Sequence, residues 1–377
     1  MSSSKSAVRM AGCIALRLLA ISCAVAVIDC PAALAQSEQR EAPASVSDAQ
    51  PEAKKPSPWI FAPVLNSSPK LGAAGGATVA YLKKFDAESR PSIFAVTAQY
   101  STTDSLVGAL LARTSFDKDR QRLNAALSYG NIKNDYDDYL GTGVPLRNDA
   151  ALKSFIGRYL HRVHGDWFLG AQGVYQNFDI AGITPFDELV LDVLGVAPYK
   201  SGGLGLVGYF DSRENEFKPM QGWVLSLNNL AYRESLGGEN DFDVYRFDVR
   251  HYAPFGNGSV FAFRLLNHLT SDAPTQNQSP VQLRGYKVGQ YTGTYMSQLE
   301  GEARLRVAER WTATVFAGVA CTYGDGKNCS AGDNLFPAAG AGVQYVLKPA
   351  VGIVLNLEYA QGKAGNYGVY LKTGYAF

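Results

Sequence analysis

The stretch Tyr367-Gly368-Val369-Tyr370-Leu371-Lys372-Thr373-Gly374-Tyr375-Ala376-Phe377 alternates without a break. Successive side chains of a strand point to opposite faces. Tyr367, Val369, Leu371, Thr373, Tyr375 and Phe377 therefore share one face, and Gly368, Tyr370, Lys372, Gly374 and Ala376 the other. The segment before it repeats the pattern, with Val351, Ile353, Leu355, Leu357 and Tyr359 set against Gly352, Val354, Asn356 and Glu358. Chance supplies one such strand easily and consecutive ones much less so. Apolar-out, polar-in alternation over about ten residues is what a strand crossing a bilayer as part of a barrel requires.

Working outward from that end, further strands are expected near 338–347, 311–323, 294–307, 259–270, 241–253, 222–235, 202–214, 166–179, 151–164, 121–137, 106–117, 91–102, 72–85 and 59–66, sixteen in all. An even number places both ends of the barrel on one side, the periplasm. Hydrocarbon offers no partner for a backbone N–H or C=O, so such a sheet must close on itself. The expected fold is all-β: a 16-stranded antiparallel transmembrane barrel over residues 59–377. A soluble sandwich, the rival reading, does not account for charge-free outer faces paired with charged inner ones. The connections alternate between short turns, such as 347–350 and 256–258, and long loops at 181–201 and 271–293. A short helix over 185–194 falls inside one of the long loops.

The N-terminus reads as a secretory signal over residues 1–35. Lys5 and Arg9 open it, an apolar run follows, and Ala33-Leu34-Ala35 offers a cleavage site. Arg17 interrupts the run and shortens it below the roughly 20 residues of a membrane span. Residues 36–58 are polar, rich in Ala, Pro, Ser and Glu, and are expected to form a disordered periplasmic tail too short for a domain of its own. Removing the signal leaves 32 basic and 33 acidic residues. That near balance gives no reason to expect a nucleic-acid partner.

Two motifs stand out. Residues 205–222 run Gly-Leu-Val-Gly-Tyr-Phe-Asp-Ser-Arg-Glu-Asn-Glu-Phe-Lys-Pro-Met-Gln-Gly. Within them Asp211 and Arg213 are spaced to pair on one strand face, followed by Asn215, Phe217, Pro219 and Gly222. Pro219 cannot donate to a ladder and belongs in a turn. Gly222 gives the backbone freedom where the next strand begins. The second motif is Leu283-Arg284-Gly285-Tyr286, in the middle of the long loop 271–293. Together these resemble the barrel domain of the BamA/TamA superfamily of outer-membrane proteins, over residues 59–377. The resemblance implies that Arg284 folds back into the lumen and pairs with an acidic residue on the wall, a task that suits the planar, permanently charged guanidinium. The matching position is Glu302, with Glu300 as substitute, in Leu299-Glu300-Gly301-Glu302. The family's Phe-x-Asp-x-Gly on the next strand is here Phe316-Ala317-Gly318-Val319-Ala320, which implies an anchor that is either weaker or carried by the two glutamates alone. Tyr375 and Phe377 are similar to the C-terminal signal that barrel-assembly machinery reads on its clients.

Cys321 and Cys329 are the cysteines that remain after the signal is removed. In an oxidising envelope a disulfide is expected, closing a loop worth roughly 2–3 kcal/mol. A metal site is the rival. The four histidines show no ligand spacing, and no nucleophile elbow or phosphate loop is present. No cofactor and no enzymatic activity are expected. The resemblance implies a role in outer-membrane biogenesis, by protein insertion or translocation at a weak seam between the first and last strands. Its partners would be outer-membrane lipid, the assembly machinery during its own insertion, and a separate periplasmic protein in place of the family's POTRA domains. A passive pore lined by Arg246, Asp248, Arg250, Arg304 and Arg306 is the alternative.

Overall fold

The computed structural model describes residues 57–68, 72–136, 144–194, 196–216, 218–274, 277–348 and 353–373. The expected signal and tail, together with Phe217, Tyr375 and Phe377, lie outside the described residues. The chain runs β1 (Trp59–Ser68), β2 (Gly72–Lys83), β3 (Ser92–Ser101), β4 (Leu106–Phe116), β5 (Gln121–Tyr136), β6 (Leu146–His164), β7 (Trp167–Gly182), helix α1 (Pro185–Val193), β8 (Tyr199–Asp211) and β9 (Gly222–Tyr232). It continues through β10 (Phe242–Phe255), β11 (Ser259–Ser271), the two-residue strands β12 (Ser279–Pro280) and β13 (Thr292–Gly293), then β14 (Tyr295–Arg306), β15 (Trp311–Tyr323), β16 (Leu335–Lys348), β17 (Ile353–Gly362) and β18 (Tyr367–Thr373).

Sixteen of these strands form one antiparallel sheet in which each long strand pairs with the next. β12 and β13 pair only with each other, inside the loop between β11 and β14. The sheet curls until β1 and β18 lie side by side, with Cα atoms within 8 Å. Among the described residues no ladder joins those two strands. The other neighbours hold long, regular registers, as in β5 against β6 from Gln121↔His161 to Tyr136↔Leu146.

The outer surface is apolar and graded. All four tryptophans, Trp59, Trp167, Trp223 and Trp311, sit half-exposed at the end where the short turns lie. This end is called the turn rim. Tyrosines 100, 129, 175, 295, 359 and 367 stand outward nearer the other end, the loop rim. Between them lie exposed aliphatic side chains such as Leu110, Leu127, Leu169, Leu206, Leu227 and Leu357. Aromatic residues at both edges of an apolar band mark a barrel that spans a bilayer.

β5 to β8 rise above that band. β6 starts at Leu146 rather than near 151, and β8 at Tyr199 rather than near 202. The reason is a second core beyond the membrane. Ile132, Tyr136, Leu146, Ala150, Leu152, Phe178, Ile180 and Tyr199 turn inward and pack on Leu191 of α1. α1 begins with a full capping box, in which Thr184 accepts from the Asp187 N–H and Asp187 accepts from the Thr184 N–H. Phe178 is fully buried and stacks on Tyr199 with ring centroids 5.2 Å apart. Phe178→Ala should cost about 3–5 kcal/mol in this outer core. The expected result is faster proteolysis of the β7–β8 loop while the band below keeps its heat-resistant migration in detergent gels. Unchanged proteolysis would show that the extension has no core of its own.

Candidate functional site

The loop between β11 and β14 turns inward. β12 and β13 pinch its base, and Val281 N–H donates to the Tyr291 carbonyl just beyond them. Val281, Leu283 and Tyr286 are buried against Leu266, Met296, Ala320, Phe336 and Ala338 of β11, β14, β15 and β16. Apolar burial thus carries the loop tip to the wall, and Arg284 goes with it. Gly285 adopts φ +99°, a conformation that suits glycine, and a Cβ there would lie 3.1 Å from Gly362 N.

Arg284 meets three carboxylates. Its Nε donates to Glu300 Oε1 at 2.6 Å, and Nη2 also bonds Glu300. Nη1 lies 2.7 Å from Glu302 Oε2 and 3.0 Å from Glu358 Oε1. The guanidinium stacks 3.5 Å from the centre of the Phe316 ring. Arg304 Nε donates to Glu302 Oε1 at 2.7 Å, and Asn356 Nδ2 to Glu358 Oε1 at 2.8 Å. All of these residues are buried. A charge this deep holds only with its partners in place, and removing one typically costs 3–5 kcal/mol.

Glu302 and Glu300, the residues singled out on β14, are both partners of Arg284. Glu358 on β17 was not singled out, although it falls on the inner face in the alternation. The structure also revises the role of Gly318. A Cβ there would lie 2.7 Å from the Leu299 carbonyl oxygen and 2.8 Å from Leu283 Cδ1. Leu283 fills the space that a side chain at 318 would need, and Glu358 supplies a third carboxylate. The anchor is not left to two glutamates.

The same loop grips the last hairpin. Gly285 N–H donates to Tyr370 Oη of β18 at 2.8 Å. Tyr286 Oη donates to the Pro337 carbonyl at 2.6 Å and accepts from Lys363 N–H at 2.9 Å. Asn366 Nδ2 donates to Tyr291 Oη at 3.1 Å. At the loop rim, Cys321 and Cys329 are joined in a disulfide at the root of the β15–β16 loop. Lys327 of that loop donates to the Thr292 carbonyl at 3.0 Å. Burial lowers the Lys327 amine below its usual range, against a weaker pull upward from Asp325.

The strand-turn motif forms a second cluster, at the turn rim. Arg213 Nε lies 2.9 Å from Asp211 Oδ1, and Arg90 and Arg122 also approach Asp211. Asn215 Oδ1 accepts from Lys218 N–H, and Pro219 lies in the turn. Gly222 has φ +109°, and a Cβ there would stand 2.7 Å from the Ser212 carbonyl oxygen. Sequence reasoning missed the rest of this cluster: Arg113 with Glu216, and Asp119 with Arg122 and Arg162. Burial works against the Asp119 carboxylate, but Arg122, Ser115 and Arg90 together hold it below its ordinary range. A third cluster sets Arg246, Arg250 and Arg264 around Asp248 on the β10–β11 wall. Arg306 is exposed at the turn rim. Among the described residues, no group of three or more His, Cys, Asp or Glu is placed to hold a metal.

The fold matches solved outer-membrane barrels. BamA from Haemophilus ducreyi lacking POTRA domains 1–3 superposes with a TM-score of 0.57 at 13% identity, over 85% of this chain and 71% of that one. CdiB from Acinetobacter baumannii gives 0.58 at 11% identity, over 84% of this chain and 60% of that one. CdiB from Escherichia coli gives 0.58 at 12% identity, over 86% and 63%. The chain therefore spans less than two thirds of either CdiB chain. No family model matches the sequence, and no curated protein does. The class is thus an integral β-barrel with the fold of BamA and CdiB. Identity this low establishes the fold and nothing narrower.

Tyr370→Phe removes one hydroxyl and is expected to cost about 1 kcal/mol. Hydrogen exchange at the Gly285 amide should speed up accordingly, and an unchanged rate would show that the contact holds nothing. Gly318→Asp should displace Leu283 and expose residues 281–290 to protease. Full resistance would mean that the wall accommodates the new side chain.

Proposed function

We propose that this protein is an integral outer-membrane barrel that works in membrane biogenesis, inserting or translocating polypeptide rather than conducting solutes. Both termini would face the periplasm and the loop rim the exterior. The observation that carries this reading is the clamp on Arg284. Three buried carboxylates, an aromatic ring and two tyrosine hydroxyls hold a loop inside the lumen. A solute pore gains nothing from closing its lumen at that cost. The fold shared with BamA and CdiB supports the same reading.

The working element is the seam between β1 and β18. The two strands are adjacent without a ladder among the described residues, whereas every other neighbouring pair of long strands is laddered. A weakly held edge facing lipid thins or opens the bilayer beside it, because its polar groups must find other partners. The contacts from Gly285 and Tyr286 tie the docked loop to the β17–β18 hairpin, so the lumen plug and the seam strand share one set of bonds. The activity is non-enzymatic. Outer-membrane lipid, the assembly machinery during biogenesis and a separate periplasmic protein are the partners this role calls for.

A passive pore remains the second reading, favoured by the arginine-lined wall around Asp248. Single-channel conductance in planar bilayers separates the two. The wild type should be nearly silent and Arg284→Ala should conduct, since the variant leaves three carboxylates buried without their shared partner. A large, steady current through both proteins would establish the pore and overturn the plug.

A further inference from the structure

The outward faces of β5 to β8 are layered in a way that a plain lipid-facing wall is not. The lowest row relevant here is apolar: Leu127 pairs across to Phe155, and Phe155 to Tyr175. The next row toward the loop rim is Tyr129, Lys153, Asn177 and Lys200, in register across the four strands. The row above holds Ala151 opposite Asp179, and the one beyond it Lys133 opposite Asp149. Apolar, then cationic, then mixed in charge is an order of environments that suits a strand leaving a bilayer through a phosphate layer.

Lys153 and Lys200 are exposed, and neither ammonium has an ion pair or hydrogen bond among the described residues. Among those residues, no other Lys or Arg faces outward from a strand between this row and the tryptophan rim. The two lysines are two strands apart, a separation of about 10 Å. Asn177, short and half-buried, sits between them. Tyr129, largely exposed, flanks it on one side, and Tyr175 lies below. Aromatic rings at headgroup depth with ammonium groups beside them suit a lipid whose head carries phosphate.

We propose that the Lys153–Asn177–Lys200 row is a binding site for the phosphate groups of an outer-leaflet glycolipid. The lysines take the phosphate, Asn177 donates to it, and Leu127, Phe155 and Tyr175 pack along the acyl chains. Asp179 and Asp149 lie one and two rows farther toward the loop rim, about 7 and 13 Å along the strands. The site places a fixed lipid on the wall formed by β5 to β8 and beneath the outer core built around α1. It rests on the reading that the loop rim faces the exterior.

The test uses the full mature protein in nanodiscs of neutral phosphatidylcholine doped with diphosphoryl lipid A, with bound lipid counted by native mass spectrometry. The wild type should retain lipid A. Lys153→Gln and Lys200→Gln should each lower retention about fivefold, and the double variant should lower it further. Lys83→Gln, at the turn rim, should change nothing. Equal retention by the double variant and the wild type would overturn the site. So would equal retention of phosphatidylglycerol, which would reduce it to a nonspecific preference for anionic lipid. Protease added to intact cells tests the orientation separately. If the β7–β8 loop is shielded from outside while the lysine variants still lose lipid A, the membrane orientation is wrong and the phosphate site stands.

Discussion

A backbone N–H inside hydrocarbon has no partner except another strand. That constraint fixes most of this molecule. It requires the long strands to pair with their neighbours in sequence and keeps the connections outside the apolar band; among the described residues, only β1 and β18 lie side by side without a ladder. It also explains why charge goes inward. Arg113, Arg122, Asp211, Asp248, Arg264, Glu300, Glu302 and Glu358 all leave the lipid face and gather in clusters that compensate one another across strands.

The inner clusters differ in what they join. Those at the turn rim and on the β10–β11 wall tie strand to strand or turn to turn, and they stiffen the cylinder. The cluster around Arg284 joins the wall to a loop that has to travel into the lumen to reach it. Leu283 and Tyr286 bring apolar surface that makes the journey favourable. Arg284 brings the charge that β14 and β17 would otherwise leave exposed to one another. The apolar contacts specify depth, and the guanidinium, with its planar donors, specifies one orientation.

Much of this was legible in the residues. Period-two alternation located the sixteen strands, because lipid on one side and a wet lumen on the other impose it on every strand. Arg284, Glu300 and Glu302 were legible through the resemblance of their two motifs to the BamA/TamA barrels, with the alternation of Glu300 and Glu302 against Leu299 and Gly301 placing both glutamates on the inner face. Glu358 was not, although its face was readable. Only the curvature of the wall brings β17 within reach of a loop that leaves from β11, and curvature leaves no mark in a local pattern. Gly318 was misread for a related reason. A missing carboxylate looks like a weakened anchor until Leu283 is seen to occupy its place. The Asp119 cluster escaped because Arg90, Arg122 and Arg162 come from separate turns and strands. The extension of β5 to β8 escaped because strand length beyond the bilayer is set by α1 and its packing rather than by lipid.

The confinement of every tryptophan to the turn rim has a spectroscopic consequence. Trp59, Trp167, Trp223 and Trp311 are each roughly half-exposed, at the first or second residue of a strand that starts from the turn rim. The intrinsic emission of the protein therefore reports on a single leaflet. A brominated lipid placed in that leaflet darkens the molecule, and the same lipid in the opposite leaflet leaves it bright. Insertion direction, and any thinning of the membrane that shifts the rim, are readable without attaching a dye.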